Sequence, residues 1–345
     1  MSTSQVAESE SAPPKPPLPT TRYCWKTLNP VIKQHYITDA QHAEQAMSCF
    51  TGPCGLDIEW RPTYVKGQAE NPVALLQLAN TDTILLLHLH HIRAIPPSLR
   101  AFLENPEIVK AGVGIQGDAK KLYKDIGLSV RGCVDLALLA RSVDNERWKG
   151  KYSDPLGLAR LIATYEDLLL FKGKVTRSNW ERRLDAEQLE YASNDSHAGY
   201  TLFMRLSQLL LSLSKIPEPR CYSFDCQRGS LVVPSTGTPW TPFNPDYDPG
   251  PPPPPKEPKT KKERSPKPTT DTDASRLRLP VQTGSKPSHR PGQSSFRARN
   301  TQRPAPSHPS LPPKPPPAAG GRPRPAKYHP ELPRNRKLNT VDTAE

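Results

Sequence analysis

No apolar run in this chain approaches the roughly 18–20 residues that a membrane-spanning helix needs, so no such helix is expected. The first twenty residues, MSTSQVAESESAPPKPPLPT, contain no arginine and no apolar stretch; neither a secretory signal nor a typical transit peptide is predicted there. Cysteine is scarce, with six in 345 residues and no Cys-x-x-Cys pair, which argues against a disulfide scaffold and for reduced thiols inside a cell. No repeat of fixed period is visible, so a solenoid is excluded. Proline is rare between Thr21 and Leu210, where eight occur, but 23 of the 43 lie in residues 251–345 and five in the first twenty. Acidic residues are short in that same C-terminal stretch, which holds 20 basic and 7 acidic side chains and so carries the whole net charge of +13. The partition predicts a globular domain over residues 21–228 (core 34–214), a disordered head over 1–20 and a disordered basic, Pro-rich tail over 229–345.

What is present in the middle is an alternation of strand and helix patterns. Residues 54–60, 73–78, 83–89, 108–115 and 130–134 are short and apolar or alternating, as strands are. Helical patterns cover 38–47, 97–103, 118–126, 136–142, 156–170 and 186–213, and Asp185 with Gln188 forms a capping pair at the start of the last. The class expected is α/β, a mixed sheet flanked by helices.

The sharpest chemical signal is Gly55-Leu56-Asp57-Ile58-Glu59-Trp60. Strand side chains alternate faces, so Asp57 and Glu59 share one, about 6–7 Å apart at their backbones and close enough to hold one cation. Two acids at a sheet centre would repel and lose hydration without such an ion. A solvated edge strand would tolerate them equally well, and the hexapeptide alone leaves both open. A second signal is Tyr191-Ala192-Ser193-Asn194-Asp195, where Tyr191 and Asp195 share a helix face. A third, Gly112-Val113-Gly114-Ile115-Gln116-Gly117, fits G-x-G-x-x-G, with Asp135 at the distance of a ribose-binding acid. Against a dinucleotide site, its strand is about the fourth rather than the first, and its first two glycines fall within the strand. Asp118 then serves either as a plain N-cap or as a third acid aimed at the strand-end cleft.

Together, Asp57-x-Glu59 on a strand, Asp118 after a strand and Tyr191-x-x-x-Asp195 on a late helix resemble the DEDDy 3′–5′ exonucleases of the ribonuclease H-like superfamily. The Werner-syndrome-type branch is the nearer likeness and ribonuclease D the more distant, on the further stretches VALLQL (73–78), GVGIQGD (112–118) and Ser178-Asn179-Trp180. The resemblance covers residues 34–214 and implies a ribonuclease H-like fold. It implies two divalent ions, Mg2+ or Mn2+, with Asp57 bridging them, Glu59 and Asp195 on the first and Asp118 on the second. Tyr191 would orient the attacking water, where a sister branch has histidine. The substrate implied is a nucleic-acid 3′ end, DNA before RNA, with Trp60, Lys172, Lys174 and Arg177 as candidate contacts. The chain departs from the pattern at Thr176, where related domains often carry a basic residue. A noncatalytic adaptor acting through its tail is the alternative of another class.

Lesser features carry blander expectations. His88, His90 and His91 lack acid or cysteine partners at metal spacing and are expected on the surface or at a subunit contact. Cys221 and Cys226 lack the second pair a zinc site needs. His197, one residue off the Asp195 face, reads as packed or solvent-facing. Prolines 251–255 and 312–317 suit polyproline II segments for Pro-recognising modules. The basic run 259–264 is a weak nuclear-localisation signal, and the tail's charge would attract phosphate backbones regardless of sequence.

Overall fold

The computed structural model describes residues 17–252. Most of the head and tail, including the proline run 312–317, the basic run 259–264 and all but the first two residues of the run 251–255, lies outside the described residues. Eight strands form one mixed sheet: β1 (Lys33–Ile37), β2 (Cys54–Trp60), β3 (Val73–Ala79), β4 (Thr83–Leu87), β5 (Lys110–Gly112), β6 (Val130–Asp135), β7 (Ser223–Gln227) and β8 (Ser230–Val232). Their spatial order is β1-β4-β3-β2-β5-β6-β7-β8. Pairs β2–β3, β3–β4, β6–β7 and β7–β8 are antiparallel, whereas β1–β4, β2–β5 and β5–β6 are parallel. The helices are α1 (Trp25–Leu28), α2 (Ala40–Cys49), α3 (Pro97–Glu104), α4 (Ile115–Ile126), α5 (Leu136–Val143), α6 (Leu158–Tyr165) and α7 (Ala186–Ser212).

The centre is covered on both faces, which explains why all seven residues of β3 are buried. Leu76 and Leu78 belong to a core shared with Met47, Leu99, Leu103 and Leu122 of α2, α3 and α4. Leu75 and Ala79 face the other way, toward Trp180, Tyr191 and Ala192. Caps set the helix starts. Asp39 accepts the His42 N–H, Asp135 accepts those of Ala137 and Leu138, and Asp185 with Gln188 closes the expected capping box. The β3–β4 turn is held by Asn80, whose Oδ1 accepts the N–H groups of Asp82 and Thr83.

Three strands escape the sequence patterns. β1 is polar and half-exposed because it is an edge, paired in parallel with β4. β7 and β8 lie beyond the long helix, and the chain stays on the domain past residue 229, where the tail was expected to begin. Trp240 is buried with its ring 4.5 Å from that of Phe224, and Lys149 pairs with Asp248 at 2.9 Å. Composition hides this segment because single aromatics, rather than an apolar run, anchor it. The strand expected over 108–115 is only three residues long: Gly114, at φ 72°, ends it and starts α4.

His88 is a correction of a different kind. It is fully buried, not on the surface. Nε2 lies 2.9 Å from the Trp180 carbonyl, which can only accept, so Nε2 carries the proton and Nδ1 accepts from the Tyr36 hydroxyl at 2.6 Å. Tyr36 Oη in turn accepts the Leu184 N–H, so the trio clamps the approach to α7. Burial pushes the His88 pKa down to about 4. The neutral ring is therefore favoured in the fold, and its contribution is complete above the unfolded pKa near 6.5 and lost as pH falls toward 4. His88→Leu should cost about 2–3 kcal/mol near pH 7, by leaving the Trp180 carbonyl without its donor and the Tyr36 hydroxyl proton without its acceptor. Urea denaturation should show that deficit narrowing from pH 6.5 to 4; a pH-independent deficit would contradict the assignment.

Candidate active site

The site exists because two backbones touch. A Cβ at Gly55 on β2 would lie 2.1 Å from the Ser196 carbonyl oxygen and 2.5 Å from the Tyr200 nitrogen. Across from it, the Cβ position at Gly199 is 3.6 Å from the Gly55 Cα. This bare contact sets α7 directly on β2. Asp57 and Glu59 share the Gly55 face of the strand, while Asp195 and Tyr191 stand one and two turns before Gly199 on the helix. As a result, Asp57, Glu59 and Asp195 each offer a carboxylate oxygen within 4.8 Å of the others.

Such crowding is electrostatically unfavourable. Burial and then the Asp195 charge raise the Asp57 pKa to about 7. Burial, then Asp57 and Asp195, push Glu59 up to about 10. Burial raises Asp195 as well, against the pull of Lys172. Lys172 Nζ donates to Asp195 Oδ2 at 2.5 Å and to the Tyr191 hydroxyl at 3.0 Å. Asp195 Oδ1, buried, has no partner. A hard divalent cation with oxygen ligands suits this donor set: three clustered carboxylates, one with a buried oxygen still free to bond.

The remaining candidates fall in different places. Asp118 is half-buried in the first turn of α4; its carboxyl is raised by burial, Asp57 and then Asp135, but it lies outside the group of three. It is not the N-cap, a position that Gly114 fills. Trp60 is half-buried with Lys121 Nζ 4.7 Å over its ring, and that lysine is tied to Asp125 and the Asn71 carbonyl. Lys174 and Arg177 stand exposed on a 3-10 turn (Lys174–Arg177) beside the site, in no ion pair among the described residues. Thr176 donates to the Gly173 carbonyl inside that turn, a structural task. The dinucleotide reading fails on geometry: Asp135 is buried, its oxygens spent on the N–H groups of Gly114, Ala137 and Leu138.

Ser178-Asn179-Trp180 is scaffolding for the site. Ser178 accepts from the Gln188 side chain, and the buried Trp180 ring packs 5.9 Å from that of Tyr191. His197 is buried, bonded to the Tyr23 hydroxyl at 2.7 Å. The small stripe of the last helix that includes Gly199 reads from sequence as a sheet-packing face, but the bare contact of Gly199 with Gly55 escapes it, although a glycine two before Asp57 and another four after Asp195 mark the spot. Sequence reasoning also missed Gln77, directly opposite Asp57 on β3 and fully buried with neither amide atom partnered.

A family model described as 3′–5′ exonuclease matches residues 34–211, just over half of the chain. The chain belongs to the 3′–5′ exonuclease family. An Arabidopsis thaliana 3′–5′ exonuclease is 36% identical over 160 residues, covering 45% of this chain and 52% of that protein. The mouse bifunctional 3′–5′ exonuclease/ATP-dependent helicase WRN is 35% identical over 158 residues, 45% of this chain and 11% of its own length. The human exonuclease 3′–5′ domain-containing protein 2 is 36% identical over 160 residues, 44% of this chain and 24% of its own. The chain therefore spans about half or less of the length of these relatives. Among the described residues, no helix of this exonuclease-family chain is long and apolar enough to cross a membrane.

Proposed function

We propose that this chain is a metal-dependent 3′–5′ exonuclease, hydrolysing phosphodiester bonds one nucleotide at a time from a 3′ end. The observation that carries the reading is the convergence of Asp57, Glu59 and Asp195 within 4.8 Å, beside Tyr191. Asp57, Glu59 and Asp195 would hold one divalent cation, and Asp118, in electrostatic reach of Asp57, would help hold a second. Bound cations of this kind neutralise charge on the entering and leaving oxygens and lower the pKa of the attacking water. Tyr191 is kept protonated by burial and by the neighbouring carboxylates, which raise its pKa, so its hydroxyl orients water by hydrogen bonding and does not act as a base. Lys174 and Arg177 line the exposed side, where a phosphate backbone would pass. Mg2+ and Mn2+ both suit oxygen ligands, and DNA is the first substrate to try, with RNA second.

Incubation of 5′-labelled single-stranded and 3′-recessed DNA, and of matching RNA, with Mg2+ or Mn2+ tests the reading. The expected result is a ladder shortening from the 3′ end, absent with EDTA and in a folded Asp57→Ala/Asp195→Ala variant. Intact substrate under every condition would move the reading to a noncatalytic adaptor.

A further inference from the structure

Lys172 reaches the heart of the carboxylate cluster from outside it. Its side chain is 37% exposed, whereas that of Asp195 is 1% exposed. Nζ makes two bonds there, to Asp195 Oδ2 and the Tyr191 hydroxyl, and lies 4.9 Å from the centre of the Tyr191 ring. Asp195 is buried on the packed first half of α7, whereas Lys172 is exposed, on a segment anchored by the buried Leu170 and Val175 on either side. One carboxylate oxygen of Asp195 is thus already taken by a cation, while its other oxygen has no partner.

We infer that Lys172 is a positioning residue that stands in for the cation: it holds Asp195 and Tyr191 in place in the metal-free protein and withdraws when Asp195 takes up a divalent ion. The inference rests on the reading of Asp57, Glu59 and Asp195 as a metal site. An ammonium group and a divalent ion draw on the same carboxylate charge, so each weakens the other's hold. A withdrawn Lys172 joins Lys174 and Arg177, which have no ion-pair partners among the described residues, on the exposed side where phosphates would approach. The ligands are kept ordered without metal, at the cost of affinity for it.

Titration calorimetry with Mn2+ alone, without nucleic acid, tests this on the full chain, together with melting curves in EDTA and in Mn2+. Lys172→Met should melt lower than wild type in EDTA, because Asp195 loses its counter-charge. It should bind Mn2+ about tenfold more tightly, the effect of one charge-assisted hydrogen bond no longer displaced, and show a larger Mn2+-induced rise in melting temperature. Lys172→Gln should move in the same direction, and Lys172→Arg should return both readouts toward wild type. Equal or weaker Mn2+ binding by both neutral variants, with the wild type binding, overturns the role of Lys172 and leaves the metal site standing. Absence of Mn2+ binding by the wild type overturns both.

Discussion

Asp57→Asn should slow 3′-end hydrolysis by about a thousandfold and at the same time raise the melting temperature of the metal-free protein by about 2–4 °C. The two effects have one origin. Asp57 sits in a buried group with Glu59 and Asp195, where burial and mutual repulsion lift the carboxyl pKa values, Asp57 to about 7 and Glu59 to about 10. An amide keeps the shape but removes one like charge, worth about 1 kcal/mol to the metal-free protein, while deleting the ligand that both cations would share. The stabilisation that Mn2+ gives the wild type should disappear with it. Single-turnover cleavage of a labelled oligonucleotide and calorimetric melts in EDTA read the pair. A variant that cleaves at the wild-type rate would remove Asp57 from the chemistry. One that melts lower in EDTA would show that the cluster is not under electrostatic stress.

Gly55→Ala should be the most damaging single methyl group in the domain, costing about 3 kcal/mol or more. The added carbon would meet the Ser196 carbonyl at 2.1 Å and the Tyr200 nitrogen at 2.5 Å. Both are backbone atoms, so no side-chain rotation relieves the clash; β2 and α7 must move apart. That movement also carries Asp195 away from Asp57 and Glu59, so the hydrolysis rate should fall more steeply than stability. Gly117→Ala is the control. It sits inside α4 with nothing within 4 Å of its Cβ position, and should be neutral or stabilise by up to about 1 kcal/mol. Urea denaturation of the two variants decides; equal stabilities would refute the close-contact account.

The site was legible where chemistry is written in a local pattern. Asp57 and Glu59 alternate on one strand and Tyr191 and Asp195 repeat on one helix, so each pair's shared face follows from backbone geometry alone. The mixed sheet and the Asp185–Gln188 cap were legible for the same reason. What was hidden depends on partners distant in sequence. The role of His88 depends on Tyr36 and on Trp180, 92 residues away. The reach of Lys172 into the cluster depends on where the 3-10 turn is pinned by the buried Val175. β1 and β8 are sheet edges; β1 carries few apolar residues and β8 is only three residues long, so neither offers enough apolar pattern to read as a strand.

The sheet's continuation through β7 and β8 bears on how the chain is made. The family match stops at residue 211, yet β6 is completed by β7, and the Phe224 side of β7 is covered by Trp240. A nascent chain that has just released α7 from the ribosome therefore holds every proposed catalytic residue but leaves one long edge of its sheet open. About fifteen further residues must emerge before β7 closes that edge, a delay of about one to three seconds at ordinary synthesis rates. During it the half-made domain presents unpaired strand backbone to its surroundings, the kind of surface that chaperones and neighbouring chains seize. The acids are in place early; the protection of the sheet that carries them comes last.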